Sequence, residues 1–481
     1  MNKECPSCIE KKFSSSQIAK ITNGRLLGNK ELSFFYCYVD SREVVQDSLF
    51  VALAGEKSDG HLFLLDASKN GATIFMVEKS RLSSKVANAL VDLGKAIVVV
   101  EDCLTALHQI AKAHLEKFPH LIKIGITGSS GKTTTKEIVA SILSVKYNTF
   151  KTQGNYNSEI GLPLMVLCIE SYHQVAVLEM GIDHIGEMER LVGIFNPHYA
   201  LITSIGTAHI GRFGSQEKLA QEKGKIFSSF NDKCFAVINQ NDELAIKEKG
   251  NYLGTSILYG VQEVAKGGYE IGSISAVDKG LLGWELSSKD KSKSVLFTLV
   301  GKHNILNFAG CYEIAKLLSL DDDDILRGVS TIKPLFGRAA IKPFCNDIIL
   351  IEDCYNANGE STMATIEFFD NLAVKRRKIL LLGAMKELGA MSKDIHESVG
   401  RILERSSIDT IFLIGEETLS IYNILNSRLS YKGKFFYFEE RQKLFACVGE
   451  YKRPGDLWLF KGSRSMALEE FEGALESEVE C

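Results

Sequence analysis

A short segment rich in glycine and serine carries the residues best suited to chemistry. Residues 125–137 read G-I-T-G-S-S-G-K-T-T-T-K-E, after an apolar run at 121–126 and before a helix-forming stretch that starts near Lys132. Glycines let backbone N–H groups turn inward, and a helix N-terminus adds its dipole. Lys132 supplies a positive charge, and the Thr133 hydroxyl can reach Mg²⁺. The order strand, loop, helix therefore predicts a phosphate-binding loop and chemistry on a nucleoside triphosphate.

This loop departs from the general pattern G-x-x-x-x-G-K-[ST] at one position. Ile126 stands where the pattern has a glycine, and the nearest glycines are Gly125 and Gly128. An incidental turn before a helix is the alternative interpretation. The strand-like and helix-like flanks that the motif requires are both present, so we favour the phosphate loop.

Two further polar residues follow predicted strands. Glu179 ends the run 175–179, and His209 comes just after the run 199–205. Because the carboxyl ends of parallel strands line the ligand crevice of an open α/β sheet, both residues are predicted to lie at that edge. A carboxylate there suits an Mg²⁺ ion that bridges the β- and γ-phosphates. We therefore predict functional roles for both, although a lone histidine is more often structural.

Other polar residues are ambiguous from the sequence. Lys223 lies in a charged helical stretch, and composition favours a solvated surface lysine. Arg338 and Asp353 lie beside apolar runs, where arginine suits a phosphate and aspartate suits a ribose hydroxyl. Three residues fit either a helix start or amide contacts to a purine ring: His303, Asn304 and Asn307. The residues alone leave these alternatives open.

Strand-like runs alternate with helical stretches along all 481 residues, which predicts an α/β protein. We divide the chain into a smaller N-terminal α/β domain (1–118), a central domain (119–334) and a C-terminal Rossmann-like α/β domain (335–481). The central domain is predicted to hold a mostly parallel sheet with helices on both faces. The predicted strands are 49–53, 72–77, 96–100, 175–179, 199–205, 234–239, 348–352, 378–382, 410–414 and 456–460.

Composition excludes several classes of protein. The formal net charge of −4 gives no general attraction to nucleic acid. No apolar run approaches the ~18 residues of a transmembrane helix, and the polar start of the chain lacks a signal-peptide core. The odd count of 11 cysteines indicates thiols in a reducing compartment, with Cys5 and Cys8 forming an isolated C-x-x-C. We therefore expect a cytoplasmic protein without nucleic-acid partners or stable membrane insertion.

Taken together, the motifs resemble those of the Mur ligase family, ATP-dependent amide-bond ligases of cell-wall precursor synthesis. The resemblance covers nearly the whole chain, in order. Early motifs are D-S-R (40–42), D-S-L-F-V-A-L-A-G-E (47–56) and D-G-H (59–61). Central motifs are the phosphate loop, T-Q-G-N-Y-N-S-E-I-G-L-P (152–163), E-M-G (179–181), A-H (208–209) and G-K-H-N (301–304). Late motifs are G-R (337–338), D-C-Y-N-A-N (353–358), L-G-A-M-K-E-L-G (382–389) and K-G-S-R-S-M (461–466).

The resemblance implies an ATP site and two Mg²⁺ ions. Thr133 and Glu179 would hold one ion, and His209 would help to hold the second. Lys223 matches a lysine that CO₂ converts to a carbamate ligand, which reverses the surface interpretation. The residues with implied catalytic roles are Lys132, Glu179, His209 and Lys223. The implied ATP contacts fall into three groups. The phosphate loop contributes Thr127, Gly128, Ser129, Ser130, Gly131, Lys132, Thr133 and Thr134. His303, Asn304 and Asn307 would surround the adenine, and Arg338 and Asp353 would reach the nucleotide from the C-terminal domain.

The resemblance also implies the substrates. The last three motifs are most like those of the members that add D-alanyl-D-alanine to a UDP-linked muramoyl tripeptide through an acyl phosphate. The uridine diphosphate end would meet Ser41, Arg42, Asp59 and His61, and the reacting end Asn155 and Asn157. The dipeptide would meet Tyr355, Asn356, Asn358, Lys461, Ser463 and Arg464. We expect a monomer, with hinge closure between domains.

The chain departs from the family pattern at four positions. Gly359 replaces a proline, Ala384 an acid, Lys225 a glutamate and Ser158 an asparagine. None of the four is an implied phosphate or metal contact. The departures bear instead on the finer substrate contacts, especially those around Ala384 and Gly359.

Two other functions compete with this hypothesis. A ligase that adds the third amino acid, or a folylpolyglutamate synthase, would share the phosphate loop, but E-L-G and K-G-S-R-S-M argue against both. A nucleotide-dependent switch would not need Glu179, His209 and Lys223. The sequence does not say which diamino acid stands third in the tripeptide.

Overall fold

The computed structural model describes residues 10–55, 58–264, 268–427 and 430–476. Cys5 and Cys8 lie outside these residues. The chain forms two compact units. Unit 1 comprises the described residues up to Gly125, together with 147–182 and 186–198, and unit 2 comprises 126–146, 183–185 and the residues from Tyr199 onward.

The first part of the chain builds a five-stranded sheet in unit 1. Its elements are α1 (Ser15–Ile21), α2 (Leu64–Lys69), α3 (Ser84–Asp92), α4 (Cys103–Leu115), β1 (Arg25–Gly28), β2 (Tyr36–Tyr38), β3 (Ser48–Val51), β4 (Ala72–Glu78) and β5 (Ala96–Val100). The strand order is β1-β5-β4-β3-β2, with β1 antiparallel and the rest parallel. All five residues of β5 are buried, as expected for a parallel strand covered on both faces. Asp102 caps α4 by accepting a hydrogen bond from the Thr105 N–H.

The middle part contains the phosphate loop. Its helices are α5 (Lys132–Leu143), α6 (Gly161–Val166), α7 (Glu187–Phe195), α8 (Ile210–Phe213), α9 (Gln216–Gly224), α10 (Glu243–Lys249), α11 (Lys302–Leu317) and α12 (Asp322–Val329). Its first strands are β6 (Ile122–Thr127), β7 (Thr149–Lys151), β8 (Val175–Glu179), β9 (Tyr199–Ile202), β10 (Phe235–Asn239) and β11 (Thr255–Tyr259). In unit 1, β7 pairs in parallel with β8. In unit 2, β9, β10 and β11 are parallel neighbours.

An antiparallel sheet follows β11, in a part of the chain where no strand was predicted. Its strands are β12 (Gln262–Val264), β13 (Gly268–Ile271), β14 (Ile274–Asp278), β15 (Trp284–Ser288) and β16 (Ser294–Phe297), paired in chain order. Residues of β15 alternate between buried and partly exposed, so one face of the strand packs inward. Strands β15 and β16 pack against α12.

The last part of the chain forms a six-stranded sheet in unit 2. Its elements are α13 (Gly359–Asn371), α14 (Ser392–Leu403), α15 (Leu419–Ser427), α16 (Arg441–Tyr451), α17 (Glu472–Glu476), β17 (Ala340–Pro343), β18 (Ile349–Asp353), β19 (Lys378–Gly383), β20 (Thr410–Ile414), β21 (Lys434–Phe438) and β22 (Leu457–Lys461). The order is β17-β18-β22-β19-β20-β21, and only β17 is antiparallel. Phe412 and Trp458 stack in its core, with ring centroids 5.9 Å apart.

The predicted α/β class is confirmed by these sheets. Each predicted strand overlaps an observed one, although the strand predicted at 199–205 already ends at Ile202. The domain boundaries after 118 and 334 stay predictions. Within the described residues, no helix is both long and apolar enough to span a membrane.

Candidate functional site

The predicted phosphate loop lies between β6 and α5, and two of its glycines are required by geometry. Gly128 has φ +145° and Gly131 has φ +80°, in the region that side-chain-bearing residues rarely adopt. A Cβ on Gly128 would lie 1.9 Å from Thr203 Oγ1, and one on Gly131 would lie 2.7 Å from Asn307 Oδ1. A side chain at either position would be strained by the backbone angle and would have to displace Thr203 or Asn307.

Ile126 explains the departure from the general motif. It is the fifth residue of β6 and is fully buried. This position belongs to the strand core rather than to the loop, so an aliphatic side chain fits it.

Two lysines converge on one carbonyl of the loop. The Lys132 ammonium donates to the Gly128 carbonyl oxygen at 2.8 Å, and the Lys223 ammonium donates to the same oxygen at 3.1 Å. Lys223 is only 1 % exposed, so the expectation of a solvated surface lysine from composition was wrong. The charged stretch forms α9 as predicted, but Lys223 lies on the buried face that it shares with Leu219 and Ala220.

Backbone and hydroxyl groups tie the loop to the segment after β9. The Thr203 hydroxyl donates to the carbonyls of Thr127 and Ser130. The Ser129 N–H donates to the Ser204 carbonyl at 2.7 Å, and the Ser129 hydroxyl accepts from the Gly206 N–H at 2.9 Å. The loop shape is therefore set by unit 2 itself.

His209 ends this segment in a left-handed conformation, with φ +61°. Its Nδ1 lies 2.7 Å from a Glu387 carboxylate oxygen and 3.2 Å from one of Asp183, but neither approach has hydrogen-bond geometry. Burial lowers the pKa of His209 although both carboxylates oppose the shift. A lowered pKa favours the neutral imidazole, which is the form that binds metals.

Two acids that no sequence motif singled out hold the segment bearing His209. The Glu360 carboxylate accepts from the Thr207 N–H at 3.0 Å and from its hydroxyl at 2.8 Å. Asp242 accepts from the Ile205 N–H at 2.7 Å. The only signal for Glu360 was its place directly after Gly359, in the first turn of a helix that follows the Y-N-A-N motif.

C-terminal residues also reach the loop within unit 2. Asn358 caps α13 and donates its side-chain amide to the Ser130 hydroxyl at 2.9 Å. The Arg338 guanidinium donates to the Thr133 hydroxyl at 3.3 Å and lies 4.4 Å from the centre of the Tyr355 ring. Five of the predicted site residues are thus brought together.

Asp353 and Lys461 form an ion pair at the carboxyl ends of β18 and β22. The Lys461 ammonium lies 3.0 Å from Asp353 Oδ2 and donates to the Asn356 carbonyl at 2.9 Å. Burial alone would raise the pKa of Asp353, but the Lys461 charge and the Thr365 hydroxyl hold it below its ordinary value. A charged carboxylate is therefore maintained at this position.

The predicted adenine residues begin α11. Asn304 is buried and donates to the Val300 carbonyl at 2.7 Å, while the Asn307 amide donates to Asn304 Oδ1 at 3.3 Å. Burial lowers the pKa of His303. Asn304 thus serves the helix start, which was one of the two alternatives, and Asn307 lies against the loop at Gly131.

In unit 1, Glu179 and Asn157 are brought together. The Asn157 amide donates to Glu179 Oε1 at 2.8 Å, and the Glu179 N–H donates to the Thr152 hydroxyl at 2.9 Å. Asn155 accepts from the Asn157 N–H through its carbonyl at 2.8 Å. The motif at 152–163 therefore orients the carboxylate that ends β8.

The early site residues form local networks in unit 1. His61 shares a 2.7 Å contact with Asp59 through Nδ1 and accepts from the Glu78 N–H through Nε2. Because Nε2 accepts a hydrogen bond, Nδ1 is the ring nitrogen that donates to Asp59. Arg42 is exposed and pairs with Asp40 at 2.5 Å, and the Ser41 carbonyl accepts from Asn70.

The last motif places its side chains on different partners. The Ser463 hydroxyl accepts from the Lys386 N–H at 2.8 Å. Arg464 pairs with Glu469, and its guanidinium lies 5.6 Å from the Phe336 ring centre. Only Arg464 of these two is exposed enough to meet a ligand without rearrangement.

The donor set suits Mg²⁺ only together with phosphate oxygens. No three His, Cys, Asp or Glu side chains of the described residues form a ready metal cage. Mg²⁺ typically takes one or two carboxylates, substrate phosphates and waters, so a cage is not needed. Thr133 and Glu179 offer oxygens of this kind, whereas the His209 nitrogen suits Mg²⁺ less well.

Comparison with known families gives three matches in chain order. The model described as "Mur ligase family, catalytic domain" matches residues 36–115. "Mur ligase middle domain" matches 126–315, and "Mur ligase, glutamate ligase domain" matches 337–464.

Relatives and solved structures agree with these matches. The UDP-N-acetylmuramoyl-tripeptide–D-alanyl-D-alanine ligase of Treponema pallidum is 33 % identical, over 91 % of this chain and 93 % of that protein. The Bacillus subtilis protein of the same name is 32 % identical, over 90 % and 91 %. A MurF crystal structure from Acinetobacter baumannii has a TM-score of 0.81 at 26 % identity, covering 97 % of this chain and 99 % of that one. MurF from Thermotoga maritima in complex with ADP has a TM-score of 0.74 at 27 % identity, covering 92 % and 96 %.

Proposed function

Because the chain belongs to the Mur ligase family, we propose that it joins D-alanyl-D-alanine to UDP-N-acetylmuramoyl-tripeptide at the expense of ATP. The observation that carries the proposal is the loop at 127–134, where two lysines meet one carbonyl. Relatives that match nine-tenths of the chain carry the name of this reaction.

The proposed reaction first activates a carboxylate. The terminal carboxylate of the tripeptide attacks the γ-phosphorus of ATP, the bond from that phosphorus to the bridging oxygen breaks, and ADP leaves. The dipeptide amine then attacks the acyl phosphate, loses a proton, and expels phosphate that retains one oxygen of the original carboxylate. The protein's contribution is positioning and charge neutralisation, for which Lys132 and the loop N–H groups are suited.

Bound Mg²⁺ would neutralise charge on the β- and γ-phosphates. We assign one ion to Thr133 and Glu179 and a second to His209 with Lys223. Arg338 and Asn358 are assigned to the nucleotide side and the dipeptide side of the loop, because they contact Thr133 and Ser130.

We further propose that Lys223 is carbamylated. Its neutral amine would add to the carbon of CO₂ and release a proton, giving an anion. Because both ammonium nitrogens contact one oxygen at 2.8 and 3.1 Å, they lie within about 6 Å of each other. Two like charges at about 6 Å repel by about 3 kcal/mol at an effective dielectric constant of about 20. Conversion of Lys223 to a carbamate would turn this repulsion into an attraction to Lys132.

Mass spectrometry of the products tests the function. The UDP-linked tripeptide, labelled with oxygen-18 in its terminal carboxylate, is incubated with D-alanyl-D-alanine and Mg-ATP. We expect the pentapeptide product and phosphate that carries the label, and we expect neither with the Lys132→Ala variant. Pentapeptide with unlabelled phosphate would refute the acyl phosphate, and turnover only with a single amino acid or a folate would refute the substrate assignment.

A further inference from the structure

A cavity of about 730 Å³ lies at the end of the C-terminal sheet opposite to Asp353 and Lys461. Its walls come from the segments just before β19, β20, β21 and β22, where these strands begin. Ligands of open α/β sheets normally bind at the carboxyl ends of strands, so this cavity is separate from the site described above. Its volume is in the range of small-molecule pockets.

Five cations line the cavity, and one of them has a structural role. Arg377 donates twice to Asp456, at 2.9 and 2.6 Å, and once to the Tyr451 carbonyl at the end of α16, at 2.8 Å. An arginine that bonds the last carbonyls of a helix stabilises the helix end. Nothing further is required to explain Arg377.

The other four cations lack such an explanation. They are Arg405, Lys432, Lys434 and Arg453, and all are exposed. Among the described residues, none of these four side chains has a hydrogen-bond or ion-pair partner. Arg405 and Arg453 follow α14 and α16, but among the described residues neither guanidinium donates to a helix carbonyl as that of Arg377 does.

Two acids of the cavity wall do not balance these charges. Asp409 accepts from the Lys378 N–H at 2.8 Å, and Glu404 accepts from the Ser430 hydroxyl. Both carboxylates are therefore engaged by the wall itself. Four exposed cations against two engaged acids leave the cavity positively charged.

We propose that this cavity is a second anion site, which binds a ligand carrying several phosphate charges. Arginine forks and lysine ammonium groups suit phosphate oxygens, and several cations around one cavity favour a multiply charged group over a single carboxylate. Such a group can belong to a free phosphorylated molecule or to a lipid headgroup.

Inorganic pyrophosphate is the probe for the first source. Calorimetric titration is carried out on the full chain with saturating Mg-ADP, which occupies the phosphate loop. We expect binding in the wild type, with slower amide exchange in 404–410 and 430–434. The Lys432→Ala/Lys434→Ala variant should bind about tenfold more weakly or worse, since two charged contacts are lost. Arg405→Ala/Arg453→Ala gives an independent second variant.

The control removes the same amount of charge elsewhere in unit 2. Lys375 and Lys393 are exposed and lie outside the cavity, so Lys375→Ala/Lys393→Ala should bind pyrophosphate like the wild type. Equal weakening in this control would overturn the proposal, because general electrostatics would then explain the binding.

Vesicles distinguish the second source. The protein is sedimented with phosphatidylglycerol vesicles and, separately, with phosphatidylcholine vesicles. If it binds only the phosphatidylglycerol vesicles and the cavity variants lose this binding, the phosphate belongs to a lipid headgroup. Absence of binding to both pyrophosphate and anionic vesicles would refute the site. Binding of polyglutamate alone would also refute it, because that result indicates an acidic protein surface.

Discussion

The phosphate loop allows a quantitative test at Gly128. In Gly128→Ala the new Cβ meets two penalties, a φ of +145° and a contact of 1.9 Å with Thr203 Oγ1. The backbone strain costs about 1–3 kcal/mol. Overpacking costs about another 1–3 kcal/mol. We expect the free energy of unfolding to fall by about 2–6 kcal/mol.

Gly214→Ala separates the two penalties. Gly214 has φ +80°, and a Cβ added to it would meet nothing within 4 Å, so its substitution carries the backbone strain alone. The variant should lose about 1–2 kcal/mol. The difference between the two alanine variants, measured by urea unfolding, gives the overpacking at Gly128 together with the extra backbone strain of φ +145° over φ +80°.

A double-mutant cycle with Thr203→Ala completes the test. Thr203→Ala alone loses the hydroxyl bonds to Thr127 and Ser130. In the Gly128→Ala background it also removes the shortest contact of the new Cβ, the one at 1.9 Å with Thr203 Oγ1. The double variant should therefore be more stable than additivity predicts by about 1–3 kcal/mol. Additive effects, or equal losses at Gly128 and Gly214, would refute the close approach of this loop to Thr203.

Three further outcomes are expected. Lys223→Ala should lower the rate of ligation by about two orders of magnitude, and added formate or acetate should restore part of it. The control Lys225→Ala, two positions away, should keep its activity. Full activity of Lys223→Ala would exclude the carbamate. Burial lowers the pKa of His114 to about 4, whereas the pKa in the unfolded chain is about 6.5. As the pH falls, the unfolded chain therefore binds the proton first. The free energy of unfolding should drop by about 3 kcal/mol between pH 6.5 and pH 4. Urea unfolding of His114→Gln should lack this component, and an unchanged pH profile would contradict it. Glu360→Ala should lower kcat about tenfold through the loss of two hydrogen bonds to Thr207, and unchanged steady-state kinetics would show that the segment bearing His209 holds its position without it.

Much of the scaffold follows from local sequence patterns. Runs of β-branched and apolar residues predicted β5, β8 and β20 to the residue, because strands buried on both faces carry an unbroken apolar signal. Asp102 and Asp321 cap the starts of α4 and α12 by accepting hydrogen bonds from the Thr105 and Asp324 N–H groups, as aspartates at helix starts commonly do. The motif also predicted the two glycines of the phosphate loop, because Gly128 and Gly131 have backbone angles that residues with side chains rarely adopt.

The remaining features depend on contacts between distant residues. The sheet of β12–β16 alternates polar and apolar residues in short strands, a signal that is weak beside the helical pattern around it. The buried Lys223 ammonium donates to the Gly128 carbonyl, 95 positions earlier in the chain, and the local sequence around Lys223 does not indicate this contact. Glu360 likewise acts on a segment 153 positions earlier. Such roles come from tertiary structure alone.

The bonds from Arg338, Asn358 and Glu360 have a practical consequence for dissecting the protein. A fragment that stopped before Arg338 would retain the whole nucleotide loop, yet Thr133, Ser130 and Thr207 would each lose a partner. Truncation is therefore a poor route to a minimal ATPase. Inhibitor screens on such a fragment would select compounds that fit a loop without these three contacts, which is not the loop of the intact enzyme.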